Sequence, residues 1–441
     1  MTRTSMAPSA TAVRQVNPLV LFVVVGAQFV LPLSLAGTAV ALPSIARDLG
    51  SNTTQLQLVV NGFNVCFALF TIMWGRLADH IGYRVAFQAG ITLALVGSVM
   101  SALAPTLLLL DLARVVAGIG AASVLTLAAT IISDTFEGPQ RARAFTAFGA
   151  VSGFGLAAGP FIAGGTVSLL GWRAVFVLHA ILLLLALIGS RALPPGVHDR
   201  TGQPRQPVFD TKVLRNAPFM RMALVPVAGA IGFVALLTYL PSGFEAIRGW
   251  SDGTAGAYMM IMTFPVFIAP LVSHRLIDSG RATPGQLALV ALICLIVGPA
   301  GLLLTGPEIP AVVAVVPMIL CGLGFGIPLG FVDGEALAHV PADEVGTAAG
   351  VFNLLRIGSE AVFVAAYGSA ISALIATKIA DSDLAERVAA GASGHAAAYG
   401  DSQNIILIAV AILCAFVAFG YLFLTRIIGR QSALASALDG K

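Results

Sequence analysis

The sequence predicts an all-α polytopic membrane protein in which twelve transmembrane helices form two six-helix bundles. Three observations support this fold class. Of the 441 residues, 58% are apolar and 10% are charged, a composition outside the range of soluble proteins. The apolar residues fall into runs of about 20, the length that crosses a bilayer as a helix. A polar motif follows the second apolar run, and part of it is repeated in the second half of the chain, which indicates an internal repeat.

Twelve apolar runs have this length. The first is too long for the apolar region of a signal peptide, so we expect it to remain in the mature protein. The predicted spans are 18–42, 57–78, 85–104, 106–132, 144–169, 173–191, 218–240, 254–273, 285–304, 310–332, 345–376 and 403–425.

The basic residues predict the orientation. An even number of spans places both termini on one side, and with that side cytoplasmic the inner segments hold seventeen Lys and Arg residues against five outside. This asymmetry follows the positive-inside rule. We therefore expect a multi-pass protein of the plasma (inner) membrane with both termini cytoplasmic.

Composition divides the chain into three parts. Residues 191–217 are rich in Pro, Arg and Gln and lack apolar periodicity, so they predict a cytoplasmic linker. An N-terminal bundle, 1–190, and a C-terminal bundle, 218–441, flank it. The segment 274–281 repeats the Arg-Leu-x-Asp core of 75–84 at the equivalent position, as expected for two bundles that rock about a central site.

The connection between spans two and three is a tight polar hairpin. Gly75 and Gly82 allow the helix ends to approach, and Asp79 can pair with Arg84 or face a helix N-terminus. We interpret this gating loop as a lock between moving parts. The alternative is that its arginines only set the orientation of the protein in the membrane.

Charged side chains inside spans cost about 2.5 to 3.5 kcal/mol each and mark coupling sites. Asp111 and Arg114 share a face of span four and can pair; a structural ion pair is the alternative. Span eleven carries Asn353, Arg356 and Glu360. Burial disfavours a charged carboxylate while a nearby arginine favours it, so Glu360 is the preferred proton-binding candidate. A static Arg356–Glu360 pair is the alternative.

Other spans offer packing and cavity residues. Gly155, Gly159, Pro160 and Gly164 on span five predict a tight, bent helix seam, or a generic packing face. Amide and aromatic side chains predict a substrate cavity, with helix–helix hydrogen bonding, core packing or lipid contact as alternatives. The cavity candidates are Gln28, Asn61, Asn64, Phe233, Tyr239, Tyr258 and Asn353.

Several function classes are excluded. The sequence has no Walker loop, no nucleophile motif and no metal-ligand spacing among six His and four Cys, so we expect no enzyme activity, cofactor or metal. The cysteines lie in separate apolar runs and predict no disulfides. The long outer segment 379–404, with a short surface helix at 383–392, predicts a solvated connector; a partner-binding element is the alternative.

These motifs resemble those of the major facilitator superfamily, and within it the drug:proton antiporters. The loop motif is matched by Gly75, Leu77, Asp79, Gly82 and Arg84. The helix-four motif is resembled by Arg114, Gly118 and Gly120. The helix-five motif, associated with antiporters, is resembled by Gly155, Gly159, Pro160, Gly164 and Gly165. Further similarity lies in 41–46, 171–173 and 350–356.

The resemblance implies a secondary active exporter of amphipathic or apolar small molecules that exchanges them for protons by alternating access. Its expected partners are the substrate, protons and the bilayer, with no nucleic acid, and it is expected to be monomeric. Two positions depart from the subfamily, which usually has an acid late in helix one and often one in helix two, where this chain has Ala36 and Asn61. A facilitator or importer of a polar metabolite and a non-transporting receptor or scaffold remain the alternatives.

Overall fold

A computed structural model describes residues 18–136, 138–194, 213–304, 306, 308–340 and 345–439. These residues form helices joined by short turns, and no strand occurs among them. From residue 18 to 194, the described part of the first half contains six α-helices: α1 (Pro18–Leu49), α2 (Thr53–Ile81), α3 (Tyr83–Leu103), α4 (Leu107–Thr135), α5 (Gly138–Leu170) and α6 (Arg173–Gly189).

The described residues of the second half form nine α-helices. They are α7 (Ala217–Gly229), α8 (Ala235–Arg248), α9 (Asp252–Asp278), α10 (Pro284–Leu302), α11 (Val315–Gly326), α12 (Val332–Leu337), α13 (Val345–Ala376), α14 (Ser382–Ala389) and α15 (Ala396–Asp439). A π-helical turn, Ala230–Val234, joins α7 and α8 into one continuous helical segment.

Ten helical segments of the described chain are long and apolar enough to cross a bilayer, and the bent fifth helix makes an eleventh. The prediction of twelve spans includes α2, which is 29 residues long but is not among these segments. It carries the amides Gln57, Asn61 and Asn64, which lower its hydropathy. The all-α membrane fold is confirmed, and the twelfth span stays a prediction.

The helix boundaries place the predicted spans closely but extend several of them. Span one was expected to end at residue 42, whereas α1 continues through Pro43 to Leu49. Span twelve was expected at 403–425, whereas α15 covers Ala396–Asp439. Apolar periodicity locates only the part of a helix that contacts lipid or the core. The helix can continue through polar residues beyond that part.

Helices α1 to α6 pack on one another and form the first bundle, and α7 to α15 form the second. We call the side that holds Pro18 the termini face, and the side that holds Leu49 the distal face. The bundles meet through α5 with α9, α2 with α13, and α1 with α8. Outward-facing apolar side chains such as Phe22 (75% exposed), Leu169 (84%) and Phe416 (73%) give the helices a lipid-compatible exterior.

The buried apolar residues show where the bundles join. The distal half of the first bundle, including Val40, Ile45 and Val59, shares one apolar cluster with the core of the second bundle. The termini half of the first bundle, including Val24 and Phe87, forms a cluster of its own. In the described chain, the two bundles are therefore joined by apolar packing at the distal half.

The distal segment after α13 forms the short helix α14, as predicted from the sequence. Asp381 caps it by accepting hydrogen bonds from the backbone N–H groups of Asp383 and Leu384. Gly391 follows with φ of 110°, and a Cβ there would lie 3.3 Å from the carbonyl oxygen of Ser242. Close approach and positive φ both favour glycine at this position. The turn after α14 therefore packs against α8, while α14 itself packs on α13.

Candidate functional site

Four side chains tie the two bundles together at the distal face, and we call them the distal clamp: Ser44, Arg47, Glu245 and Asp252. Arg47 Nη2 donates to Asp252 Oδ2 at 2.7 Å and to Ser44 Oγ at 2.6 Å. Arg47 Nη1 lies 3.4 Å from Glu245 Oε2, and Ser44 Oγ lies 3.0 Å from Asp252 Oδ2. Residues of α1 are thereby bonded to the end of α8 and the start of α9.

The clamp is built by helix ends. Arg47 lies in the last turn of α1, and Asp252 lies in the first turn of α9, where a carboxylate is favoured by the helix dipole. The side chain of Arg47 is 61% exposed, whereas that of Glu245 is only 3% exposed. An arginine at the rim thus reaches inward to two carboxylates buried between the bundles.

The predicted small-residue seam of α5 contacts two different helices. Gly155 and Gly159 face α1, where a Cβ on Gly159 would lie 2.9 Å from Ala36 Cβ. Gly164 faces α9, where a Cβ would lie 2.9 Å from the Asp252 carbonyl oxygen and 3.2 Å from Gly256 Cα. The seam therefore joins the bundles through backbone contact, and its glycine on the α9 side adjoins the distal clamp.

Helices α2 and α13 form the other contact between the bundles. Ser369 Oγ donates to Gln57 Oε1 at 3.3 Å, and a Cβ on Gly368 would lie 2.1 Å from the Tyr239 hydroxyl. The Tyr239 ring stacks on Tyr367 with 4.8 Å between centroids. A small cavity lies here, lined by Leu42, Leu56 and Gln57 of the first bundle and by Tyr239, Ile371 and Ala389 of the second.

Arg114 on α4 is fully buried inside the first bundle. Its Nε donates to the Val59 carbonyl oxygen at 3.1 Å, and its Nη1 donates to Ser34 Oγ at 3.1 Å. The guanidinium lies 4.3 Å from the ring centroid of Phe63 and 5.6 Å from that of Phe176. The planar cation is held by aromatic faces and neutral oxygens, which binds α1, α2, α4 and α6 together.

The expected Asp111–Arg114 pair does not form, because the arginine is directed to Val59 and Ser34. Asp111 is 6% exposed, and neither carboxylate oxygen has a hydrogen-bond partner among the described residues. Reasoning from the sequence missed His179 on α6, which is 1% exposed and has neither ring nitrogen hydrogen-bonded in the described chain. The first bundle therefore holds two buried ionisable groups that lack partners there.

The static Arg356–Glu360 pair, the alternative to a proton-binding Glu360, is also absent from the described residues. Arg356 instead lies 3.3 Å from Asp333 of α12 and donates to Asn353 Oδ1 at 2.9 Å. Sequence spacing allowed the pair on one helix face, but tertiary contact with α12 supplies a closer carboxylate. Glu360, at the middle of α13, remains an acid without an ion pair in the described chain.

The predicted cavity residues fall into different environments. Phe233 is fully buried and stacks on Phe325 inside the second bundle, and Tyr258 donates to the Ala311 carbonyl oxygen, so both act in packing. Tyr239 alone of the three aromatic candidates lines the cavity between the bundles. The hydrophobic character of Phe233 and Tyr258 fits a core as well as a cavity, and only the packing distinguishes the two.

The amide candidates lie inside the first bundle or beside α12. Gln28 Nε2 donates to Ser152 Oγ at 3.0 Å, which links α1 to α5. Asn61 Oδ1 and Asn64 Nδ2 are buried without hydrogen-bond partners in the described residues. Asn353 accepts from Arg356. The structure therefore brings no set of amides together in one place.

The gating loop is described except for the side chain of Asp79, which lies outside the described parts. Gly82 has φ of 87° and separates α2 from α3. Arg84 Nη2 donates to the Arg191 carbonyl oxygen at 2.9 Å, which ties α3 to the end of α6. A Cβ on Gly75 would touch Thr126 of α4 at 3.8 Å. The described contacts of this loop thus hold the first bundle together.

Reasoning from the sequence missed the distal clamp. Arg47, Glu245 and Asp252 are near span ends, where polar residues are common, and Arg47 is distant along the chain from the two acids. The sequence does contain one signal of the clamp, the acid Glu245. It lies eight residues beyond Leu237, inside the mostly apolar helix α8. The predicted span seven ended at residue 240 and left this acid outside the membrane.

Comparison with known proteins agrees with the fold. The chain is 28% identical over 423 residues to the puromycin resistance protein pur8 of Streptomyces alboniger, covering 82% of this chain and 83% of that one. It is 24% identical over 399 residues to the multidrug resistance protein Stp of Mycobacterium tuberculosis H37Rv, covering 77% and 73%.

Solved structures show the same architecture. A bacterial homologue of the human lysosomal transporter Spinster, inward-facing and unoccupied, superposes with a TM-score of 0.70 at 18% identity, covering 93% of this chain and 98% of that one. A D-xylose-proton symporter gives a TM-score of 0.69 at 14% identity, covering 89% and 96%. These are membrane transporters and not enzymes. The family model described as Major Facilitator Superfamily matches residues 24–364, and the chain belongs to this family.

Proposed function

We propose that the protein is a secondary active exporter that moves amphipathic or apolar small molecules outward in exchange for protons. The observation that supports this proposal is that, among the described residues, the two bundles are joined at the distal half and not at the termini half of the first bundle. Apolar packing, the glycine seam and the distal clamp join them at the distal half, while the termini half of the first bundle has a separate core. This arrangement matches one of the two states that alternating access requires.

The orientation is part of the proposal. With the termini in the cytoplasm, the distal face is external and the described state is closed to the outside, so substrate would enter from the cytoplasmic side. Residues 1–190 and 218–441 would be the two moving bundles, with 191–217 as the linker. We expect a monomer, because each chain supplies both bundles.

The substrate class follows from relatives and from chemistry. The names of pur8 and Stp describe resistance to puromycin and to several drugs. Tyr239, Leu42 and Leu56 between the bundles offer an aromatic and apolar surface, which suits a ligand with at most modest charge. A fully charged ligand would need a buried partner of opposite charge.

Proton coupling is assigned to acids inside the helices. Glu360 on α13 and Asp111 on α4 lack ion pairs in the described chain, so each can take up a proton without first breaking a salt bridge. Asp79 would latch the cytoplasmic side in the opposite state, and Arg114 would order the first bundle. Gly159 and Pro160 would keep the α5 seam closed to leaks.

The test uses purified protein in vesicles with an imposed pH gradient. Puromycin should move against its own gradient while the pH gradient persists, and a protonophore should abolish this movement. Flux that ignores the pH gradient would refute exchange for protons. Flux of D-xylose or uridine without drug flux would favour an importer or facilitator, and no flux of any of these compounds would favour a receptor or scaffold.

Glu360→Gln tests the preferred proton site. The expected result is drug transport that no longer responds to the pH gradient, because the amide takes the place of the carboxylate but binds no proton. Asp383→Asn, an exposed acid on α14, is the matched control and should keep the wild-type response. Unchanged pH dependence in Glu360→Gln would remove this residue from the proposed mechanism.

A further inference from the structure

We propose that the distal clamp is a proton-binding site, and that Glu245 holds a proton while the distal face is closed and releases it to the distal solution when the bundles separate. The inference rests on the proposed alternating access but concerns different residues from the acids assigned to coupling above. Protonation forms one O–H bond on the Glu245 carboxylate and breaks one O–H bond of a hydronium ion at the distal face, which becomes water. Release reverses the same step.

The charge of the clamp is unbalanced. One guanidinium, that of Arg47, faces two carboxylates, those of Glu245 and Asp252. The contact with Asp252 is the shorter, at 2.7 Å against 3.4 Å, and Ser44 also donates to the same oxygen of Asp252. Asp252 is therefore the ionic partner of Arg47, and Glu245 is the carboxylate left over.

Glu245 is also the more deeply buried of the two acids. Its side chain is 3% exposed, against 11% for Asp252. Each acid has one oxygen without a hydrogen-bond partner among the described residues, Glu245 Oε1 and Asp252 Oδ1, but only Asp252 has a second oxygen held by both Arg47 and Ser44. A buried carboxylate ion with incomplete partners is costly, whereas the neutral acid removes most of this cost. Binding one proton leaves the clamp with one positive and one negative charge.

No other cation in the described chain faces Glu245. The ionisable groups packed around it are Arg47 from α1, Asp252 from α9, and Tyr399 from α15, with Tyr367 of α13 beside that tyrosine. The two tyrosines are neutral hydroxyls and the nearby carboxylate repels a second negative charge. The surroundings therefore provide one cation for two acids, and a proton is the missing positive charge.

The geometry links this proton to the state of the transporter. Arg47 belongs to the first bundle, and both acids belong to the second. When the bundles part at the distal face, Glu245 loses the apolar packing that covers it and meets water, where the ionised form is stable. Closing then requires a proton, so low pH at the distal face favours closure. One bound proton changes the closed-to-open ratio by at most about tenfold per pH unit.

The experiment measures the distance between the bundles as a function of pH. Spin labels are attached to Thr54→Cys on α2 and Glu308→Cys in the loop before α11, both exposed, with Cys66, Cys294, Cys321 and Cys414 replaced. Double electron–electron resonance on the full chain in lipid nanodiscs, from pH 5 to pH 9 without drug, gives the closed and open populations. In the otherwise unmodified clamp, the closed population should rise as pH falls.

Two substitutions balance the clamp by different routes. Glu245→Gln leaves Arg47 with Asp252, and Asp252→Asn leaves Arg47 with Glu245, so each should flatten the pH dependence of the closed population. The matched control is Asp48→Asn, since Asp48 lies on the same face but pairs with Arg173 inside the first bundle. It should keep the pH dependence of the unmodified clamp.

The outcomes separate this inference from the proposed function. A closed population independent of pH in the unmodified clamp, or an unchanged pH dependence in both clamp variants, would overturn the inference even if drug flux is driven by protons. If one variant fails to fold, the other decides. A pH-dependent closure that both substitutions abolish would support the inference, including in a protein that moves none of the drugs tested.

Discussion

The seam between α5 and α9 permits a sharp test of how the bundles close, through the change Gly256→Ala. A Cβ on Gly256 would lie 2.4 Å from the Pro160 carbonyl oxygen and 3.0 Å from Gly164 Cα. Ordinary contact begins near 3.4 Å, so the two backbones must separate by about 1 Å. Backbone atoms cannot rotate away as a side chain can, so the closed seam itself must widen.

The magnitude follows from the cost of overpacking. Inserting a methyl group into a well-packed interface costs about 1–3 kcal/mol. If this cost falls on the closed distal state and is relieved when the bundles part, the closed-to-open ratio should drop by about 5- to 150-fold. Alanine also stabilises a helix by about 1 kcal/mol relative to glycine, but that gain is the same in both states.

The assay is the same interbundle distance, measured between labels at positions 54 and 308. Gly256→Ala should shift the population from the closed to the open distance. The control is Gly165→Ala on α5, next to a seam glycine, where a Cβ would meet nothing within 4 Å. That control should leave the populations unchanged. Equal closed populations in Gly256→Ala and Gly165→Ala would refute the view that backbone contact in this seam holds the distal face closed.

Three further predictions concern single side chains. Arg114→Lys should lower the free energy of unfolding by about 1–3 kcal/mol, measured by chemical denaturation in detergent, because the compact ammonium lacks the planar fork that reaches Val59 and Ser34 through separate nitrogens. Wild-type stability would count against the arginine as a link between helices. Tyr421→Phe removes a hydroxyl that donates to the Gly285 carbonyl oxygen at 3.1 Å and should lower the free energy of unfolding by about 0.5–1.5 kcal/mol. Tyr399→Phe removes a buried hydroxyl without a partner in the described chain and should lower the free energy of unfolding by less. The reverse order would contradict the assignment of these bonds. Asp79→Asn should slow the transport cycle while drug binding stays largely intact, and a normal turnover rate would argue against the latch.

Much of the fold could be predicted from local properties of the chain. Apolar runs of about 20 residues located the helices, because a spanning helix must satisfy its backbone internally and present apolar side chains to lipid. The small residues of α5 predicted a close helix contact, and Gly164 makes one. The spacing of glycines predicts a close contact because a helix face without side chains lets another backbone approach. This holds for any helix that lies opposite.

The partners of the charged residues could not be predicted in the same way. Spacing on one helix suggested that Arg356 pairs with Glu360 and Arg114 with Asp111. In the structure Arg356 reaches Asp333, and Arg114 reaches Val59 and Ser34. A long arginine side chain can bind any oxygen within its reach, and most of those oxygens belong to other helices.

The sequence by itself determined that this chain is a helical membrane protein, because hydropathy and helix length are local properties, and the repeated loop motif predicts two related halves. Only the tertiary structure decided which face of the molecule is sealed and by which residues. Arg47 lies 198 residues before Glu245 and 205 residues before Asp252 along the chain. Their contact depends on how one bundle is placed against the other, and packing between distant helices sets that placement.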